Sequence, residues 1–451
     1  GGCGWGSEEY SEDFYFWQIL HRKEGENEKG QYNKNMDIYS TNAWYPSNPV
    51  QISEPTQIRG VDIVKLGIFP FQYNPITREL IVIRDIEIEI EFVGGSEQFG
   101  DNRLRSRWFD PVLKDALANY ASLPAIQHSV STGSREDGAE YLIISPDVPE
   151  FLAWADSIRV FRNMQGISTK VVSTTEVGGN DVSAVESYID NAFLTWVIPP
   201  AAVLILADYG TGSTQIMAPI WENYCASDHI YADVTGNDLV DIVLARITAQ
   251  DSIHLSNMIG KMFSNERTPP MNADFYNHPI TALGWQTERW FQICAESVGG
   301  YFKNEYGKNP VRINEVYGGN PASDPWSTAT NTSTILNVFG PNGLGYIPAS
   351  PSTLGGWSGG NANMINNAIN DGAFVLLHRD HGYEYGWGEP DYNNNDLDGL
   401  TNDEYVYVFS INCLTGKYNL SGECFTEKFH RIEHGAVGLI AASEVSYSFV
   451  N

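Results

Sequence analysis

Two segments carry the residue types needed for thiol chemistry. Phe374-Val-Leu-Leu377 runs into His378-Arg-Asp380-His381-Gly382, and Tyr405-Val-Tyr-Val-Phe-Ser-Ile-Asn412 runs into Cys413. A thiol becomes a strong nucleophile when a base or cation stabilises its thiolate, and imidazole is the usual one. Both apolar runs are short, rich in β-branched and aromatic residues and bounded by turn residues, the pattern of buried parallel strands. Parallel neighbours end on the same edge of a sheet, the edge where open α/β folds bind ligands. His381 and Cys413, 32 positions apart in sequence, are therefore expected to meet in space. Leu414-Thr-Gly416 after the cysteine reads as a turn.

The elements that must position this pair follow from the pattern along the chain. From Glu140 onward strands and helices alternate: strands at 141–144, 170–172, 202–206 and 241–244, and helices at 148–164 and 181–194, with Asp181 as N-cap. A helix at 423–434 and a strand at 437–442 follow Cys413. Such βα alternation predicts a mainly parallel sheet covered on both faces. The region before it is different. Residues 78–92 alternate apolar and charged side chains, the period of a strand with one solvated face. An antiparallel, sandwich-like domain is expected over 1–126, an exposed linker over 127–139, and the α/β domain over 140–451. The last residues, up to Asn451, read as a processed or incomplete end.

Composition narrows the function classes. The 451 residues carry 27 Lys plus Arg against 56 Asp plus Glu, a formal charge of −29. Neutralising nucleic-acid phosphates needs a basic surface, so a nucleic-acid partner is not expected. No apolar run reaches the ~18 residues of a membrane span. Strong acidity suits solubility, calcium sites and an extracellular setting. Five scattered cysteines, Cys3, Cys225, Cys294, Cys413 and Cys424, make neither a disulfide framework nor a CxxC zinc pair.

The histidine-glycine pair, the strand, the cysteine and the small-residue turn resemble the gingipain-type cysteine peptidases, relatives of the caspases. Other stretches are similar to that family as well: Tyr141-Leu-Ile-Ile144, Ala202 to Asp208, the acidic segment Asp228 to Asp238, Gly382 to Trp387, and Gly435 to Ser443. The likeness spans 140–451, and the region before it resembles the family's propeptide. The resemblance implies a caspase-like three-layer α/β domain with Cys413 as nucleophile and His381 as general base. It also implies backbone N–H groups of Gly382 and Cys413 as the oxyanion hole. Two departures stand out. The glutamate that the best-known members place near the histidine has no counterpart within Thr281-Ala-Leu-Gly-Trp285, where Asp380 or a backbone carbonyl is the expected substitute. The acid that receives a basic substrate side chain falls near Gln292, with Glu288 and Glu296 one helical turn away on either side. Trp387, Glu288, Gln292 and Tyr447 are the candidate substrate contacts.

Two metal readings compete with this. His378-Arg-Asp-His381 has the ligand types of a zinc hydrolase but lacks further histidines in matching context. Asn394, Asp396, Asp398 and Gly399 occupy positions 1, 3, 5 and 6 of an EF-hand-like loop, with Asp403 nearby and Tyr405 at position 12, so a structural calcium ion is expected there. Asp228 to Asp238 is a weaker second candidate. The expected protein is a secreted or cell-surface cysteine endopeptidase acting on proteins or peptides. It is expected to be made as a zymogen with its own N-terminal prodomain covering the Cys413 site, and to need no catalytic cofactor. A catalytically idle calcium-stabilised binding module and a transpeptidase on the same scaffold are the alternatives.

Overall fold

The computed structural model describes residues 35–90, 99–126 and 138–446. Nine parallel strands form two sheets rather than one. The first contains β1 (Tyr141–Ser145), β2 (Thr169–Ser173), β3 (Ala202–Ile205) and β4 (Val243–Arg246), in the order 4-3-1-2. The second contains β5 (Ile280–Gln286), β6 (Val311–Gly318), β7 (Val375–Arg379), β8 (Val406–Ile411) and β9 (Ala436–Ala441), in the order 6-5-7-8-9. Their centres are fully buried, as with Ile143, Ile144, Ala282 and Leu376, which matches strands lacking a polar face.

Helices cover both sheets, and local chemistry sets where they start. In α1 (Pro149–Met164), Pro149 sits in the first turn, where a missing N–H costs nothing. In α2 (Val182–Thr195), the Asp181 carboxylate accepts from the Ala184 N–H, the expected cap. Asp251 does the same for α3 (Ser252–Arg267), accepting from Ile253 and His254. Helix α4 (Phe291–Tyr306) ends on Gly307 in the left-handed region and packs on β5 and β7. Helix α5 (Ala362–Asn370) lies on the other side, in the core with Leu376, Trp387 and Phe425. Helix α6 (Phe425–Arg431) is shorter than the predicted 423–434.

The two sheets are tied by buried cations. Arg431 on α6 reaches Asp208 (3.1 Å) past the end of β3, Glu427 (2.7 Å) and Glu423 (3.2 Å), and donates Nε to the Thr248 carbonyl. Lys261 on α3 donates Nζ to the carbonyls of His430, Ile432 and His434 at 2.7–3.0 Å. Burial pushes its pKa down to about 7.

The N-terminal strands are antiparallel, as expected, but short: Val50–Ile52 with Leu66–Ile68, Thr56–Ile58 with Val61–Ile63, and Phe71–Asn74 with Glu79–Val82. The strand predicted over 78–92 therefore ends at Val82, and its last two residues lie outside the described residues. Arg59 and Gly60, both at positive φ, form a tight hairpin tip. That tip carries Arg59 into the base of the first sheet. It donates to the carbonyls of Leu104, Pro200 and Asp241 (2.7–2.8 Å) and lies between the rings of Phe109 and Phe193. Arg103 caps the carbonyl end of α2 through Phe193, Leu194 and Trp196. Pro200 and Asp241 precede β3 and β4, so these contacts lie at the N-terminal ends of strands of the first sheet.

Candidate active site

Strand register decides the geometry. β7 and β8 pair in parallel from Val375 opposite Tyr407 to Arg379 opposite Ile411. His381 and Cys413 each lie two residues beyond that last pair, so they leave the sheet side by side. Gly382 closes the approach: a Cβ built there would stand 2.7 Å from the Cys413 carbonyl oxygen and 2.6 Å from Asn412 Oδ1. Only glycine lets the two backbones come this close. Gly382–Tyr383 then turns back as the first strand of a three-stranded antiparallel ribbon with Gly386–Trp387 and Tyr392–Asn393.

His381 is half-buried, between the Phe291 ring (5.2 Å, perpendicular) and the Tyr317 ring (4.9 Å). Its Nε2 lies 2.8 Å from Gln286 Oε1 at the end of β5, the neighbouring strand. With Nε2–H donating to that amide oxygen, the ring is held as the tautomer whose lone pair is on Nδ1. Cys413 is 3% exposed, and its Sγ receives the Ser446 N–H at 3.4 Å. Leu414, next in the chain, has φ +63, a strained conformation for a branched residue. The turn continues with Thr415 N–H bonded to the Cys413 carbonyl at 2.7 Å.

A sealed polar network lies behind the pair. Asn412 Nδ2 donates to His378 Nδ1 (2.7 Å) and Ser410 Oγ (3.0 Å), and Asn412 Oδ1 accepts from Thr415 Oγ1 (2.7 Å). The Trp387 indole donates to Ser410 Oγ at 2.8 Å and stacks on His378 with ring centroids 4.1 Å apart. His378 Nε2 donates to the Glu389 carbonyl, and burial pushes the imidazole pKa down to about 3, so the ring is neutral. Both its nitrogens are taken. Asp380, fully buried, accepts the Glu389 N–H at 2.7 Å. The zinc reading of this segment therefore has no free imidazole at His378 to build on.

The remaining candidates scatter. Trp387 and Gln292 are fully buried. The Gln292 amide donates to the carbonyls of Gln286, Arg289 and Trp326, which corrects its reading as a substrate contact. Trp387 is corrected in the same way, since both ring faces and its N–H are packed into the core. Glu288 is exposed, Glu296 is buried against Arg312, and Tyr447 lies outside the described residues. The calcium candidates do not converge. Asp396 accepts the Asn393 N–H, Asp398 pairs with Lys428 (2.7 Å), Asp403 lies 3.7 Å from His434, and Asn394 Nδ2 donates to the Glu423 carbonyl. Asp228, in the second candidate, is engaged by Arg246 and Asp233 by the N–H groups of Asn237 and Asp238. Among the described residues no group of three or more His, Cys, Asp or Glu side chains is placed to hold a metal ion. Sequence reasoning missed Gln286, whose signal is its place as the last residue of a strand ending on the same edge as His381. It also missed the Ser410–Asn412–Thr415 triplet around Cys413.

A half-buried imidazole and a thiol thus stand at adjacent strand ends of a parallel α/β fold, with a glycine backbone pressed against the cysteine. Residues 134–451 match the sequence model of peptidase family C25, and residues 18–124 match that of the C25 propeptide. The chain belongs to peptidase family C25. It is 20% identical to Gingipain R2 of Porphyromonas gingivalis over 90% of this chain and 50% of that protein. It is 22% identical to Lys-gingipain of the same organism over 94% of this chain and 22% of that protein. The chain thus spans half or less of the length of these relatives. The crystal structure of the Arg-specific cysteine proteinase gingipain R superimposes with a TM-score of 0.52 at 17% identity, covering 71% of this chain and 66% of that one. The complex of P. gingivalis RgpB pro- and mature domains gives 0.52 at 16% identity, covering 68% and 65%.

Proposed function

We propose that this chain is a cysteine endopeptidase that hydrolyses peptide bonds through Cys413 and His381. The observation that carries the reading is the register that sets the two residues flush at the ends of β7 and β8. His381 Nδ1 takes the thiol proton, and Sγ attacks the substrate carbonyl carbon to form a C–S bond. The N–H groups of Gly382 and Cys413 receive the oxyanion. The tetrahedral intermediate collapses with cleavage of the C–N bond, and the imidazolium gives its proton to the departing amine. Water then loses a proton to His381 and attacks the thioester, which releases the acid and restores the thiol. Gln286 holds the imidazole with a neutral amide where a carboxylate would also attract its positive form.

The propeptide match supports synthesis as a zymogen, and the acidic charge together with the family supports a secreted or cell-surface setting. Its substrates are proteins or peptides. The test is activity and labelling together. Cys413→Ala and His381→Ala should each abolish peptide hydrolysis with the fold retained, and an irreversible thiol-directed peptide inhibitor should mark Cys413 alone. Hydrolysis that survives Cys413→Ala refutes the reading.

A further inference from the structure

Arg379 is a buried arginine that the proposed mechanism does not use. Side chains alternate along β7, and contacts show which face each takes. His378 and Asp380 both meet the Glu389 backbone on the α5 side. Arg379 and His381 both meet Phe291 on the α4 side: the guanidinium lies 4.4 Å from the ring centroid, the imidazole 5.2 Å. Ile411, its register partner, stands in the same relation to Cys413. Arg379 is thus the side chain immediately below the histidine, on the face from which the histidine and cysteine project.

Its partners are few. Nη1 donates to the Ile411 carbonyl at 2.9 Å, and among the described residues no Asp or Glu oxygen lies within ion-pair distance of the guanidinium. Arg379 is only 8% exposed. Nε and Nη2 are not sealed off, since neither belongs to the buried donors left without a partner. Two other buried cations, Arg59 and Lys261, also lack a carboxylate, but each is held by three backbone carbonyls, against one for Arg379. Other buried arginines in this domain are paired, Arg246 with Asp228 and Arg431 with Asp208 and Glu427. A buried charge is favourable only when an opposite charge satisfies it, and guanidinium takes a carboxylate in a two-pronged fit. Ile411 beside it is 39% exposed, so this flank of the site is open. In the segment expected to supply an acid for a basic side chain, Gln292 is held by three carbonyls and Glu296 by Arg312, while Glu288 lies exposed at the surface.

We propose that Arg379 receives the carboxylate of an aspartate or glutamate side chain on the acyl side of the scissile bond, which makes the enzyme selective for an acidic residue there. The inference rests on the Cys413 peptidase reading. A substrate lying along the edge with its carbonyl at Cys413 directs the side chain of that residue down the α4 face. Ile411 forms the open apolar wall and Arg379 the floor, with the buried Phe291 ring backing the guanidinium. An uncharged amide of the same shape leaves the guanidinium unpaired.

The test uses the full chain, before and after limited proteolysis. Peptides identical except at this one position carry Asp, Asn, Glu, Gln, Ala, Lys or Arg, and matching thiol-directed peptidyl ketones are read by mass spectrometry on Cys413. The expected kcat/KM ratio of Asp to Asn, or of Glu to Gln, is on the order of 10²–10³, the range for a buried pair against a buried unpaired charge. Arg379→Gln should collapse that ratio to near unity, and Arg379→Lys should keep part of it. The wild-type ratio needs no variant to fold. A ratio near one, or preference for Lys or Arg, overturns the assignment while adducts on Cys413 leave the peptidase reading intact. No cleavage and no adduct with any of these compounds overturns both.

Discussion

Replacing Gly382 by alanine tests the backbone geometry on which the site depends. The added Cβ would meet the Cys413 carbonyl oxygen at 2.7 Å and Asn412 Oδ1 at 2.6 Å, whereas ordinary contact begins at 3.4 Å. The two backbones must therefore part by about 0.7 Å, or Asn412 must leave its bonds to His378 and Thr415. Overpacking of this kind costs about 1–3 kcal/mol, a fall of several degrees in Tm for a domain this large. Catalysis should suffer more. A shift near 1 Å costs on the order of 10²-fold, and weakening one oxyanion donor costs on the order of 10²–10³-fold. We expect kcat/KM, and the rate of Cys413 alkylation by a substrate-like ketone, to fall about 10²-fold. Gly422→Ala is the control: its Cβ would meet nothing within 4 Å, so stability should stay within about 0.5 kcal/mol. A Gly382→Ala enzyme that turns over like the wild type refutes the claim that Gly382 and Cys413 are held in contact for catalysis.

Gln286→Ala should lower kcat by about 2- to 12-fold, the worth of one neutral hydrogen bond orienting the imidazole. Gln286→Glu should retain kcat and move the alkaline limb of the pH–rate profile to higher pH, because a carboxylate favours imidazolium; an unmoved profile in both variants removes Gln286 from the mechanism. Lys261 gives a stability signature. Its native pKa, about 7, lies below the unfolded value of 10.5, so between these pH values the unfolded chain binds a proton that the native chain does not. Its contribution is therefore complete above pH 10.5 and lost as pH falls through 7. From pH 7 to 9.5 the gain approaches about 3 kcal/mol by that linkage, and Lys261→Met should abolish it in urea unfolding curves; equal pH slopes for both proteins refute the assignment. Because the Asn394–Asp403 side chains serve separate partners, a chelator should leave Tm unchanged, and a clear rise in Tm on adding calcium would overturn that expectation.

What the sequence determined by itself is the pairing of His381 with Cys413. Two buried parallel strands of similar length end on a common edge, and a residue just past each end has little choice of neighbour. The βα alternation, the Asp181 cap and the turn after Cys413 are local consequences of side-chain chemistry and are legible for the same reason. Tertiary structure alone decided which side chains point where. Trp387 and Gln292 have the composition of substrate contacts, yet strand and helix orientation turn them into the core. The Asn394–Asp398 spacing mimics a calcium loop, but Lys428 on α6 and the local backbone claim its carboxylates. Gln286 reaches His381 because β5 lies beside β7 with an irregularity at its end, between Trp285 and Gln286. No spacing in a chain encodes a contact across 95 residues. The division into two sheets, and the docking of Arg59 at the base of the first, depend on the same long-range packing. Arg379 shows the limit most plainly: it is an ordinary residue between two histidines until register places it under one of them without an acid beside it.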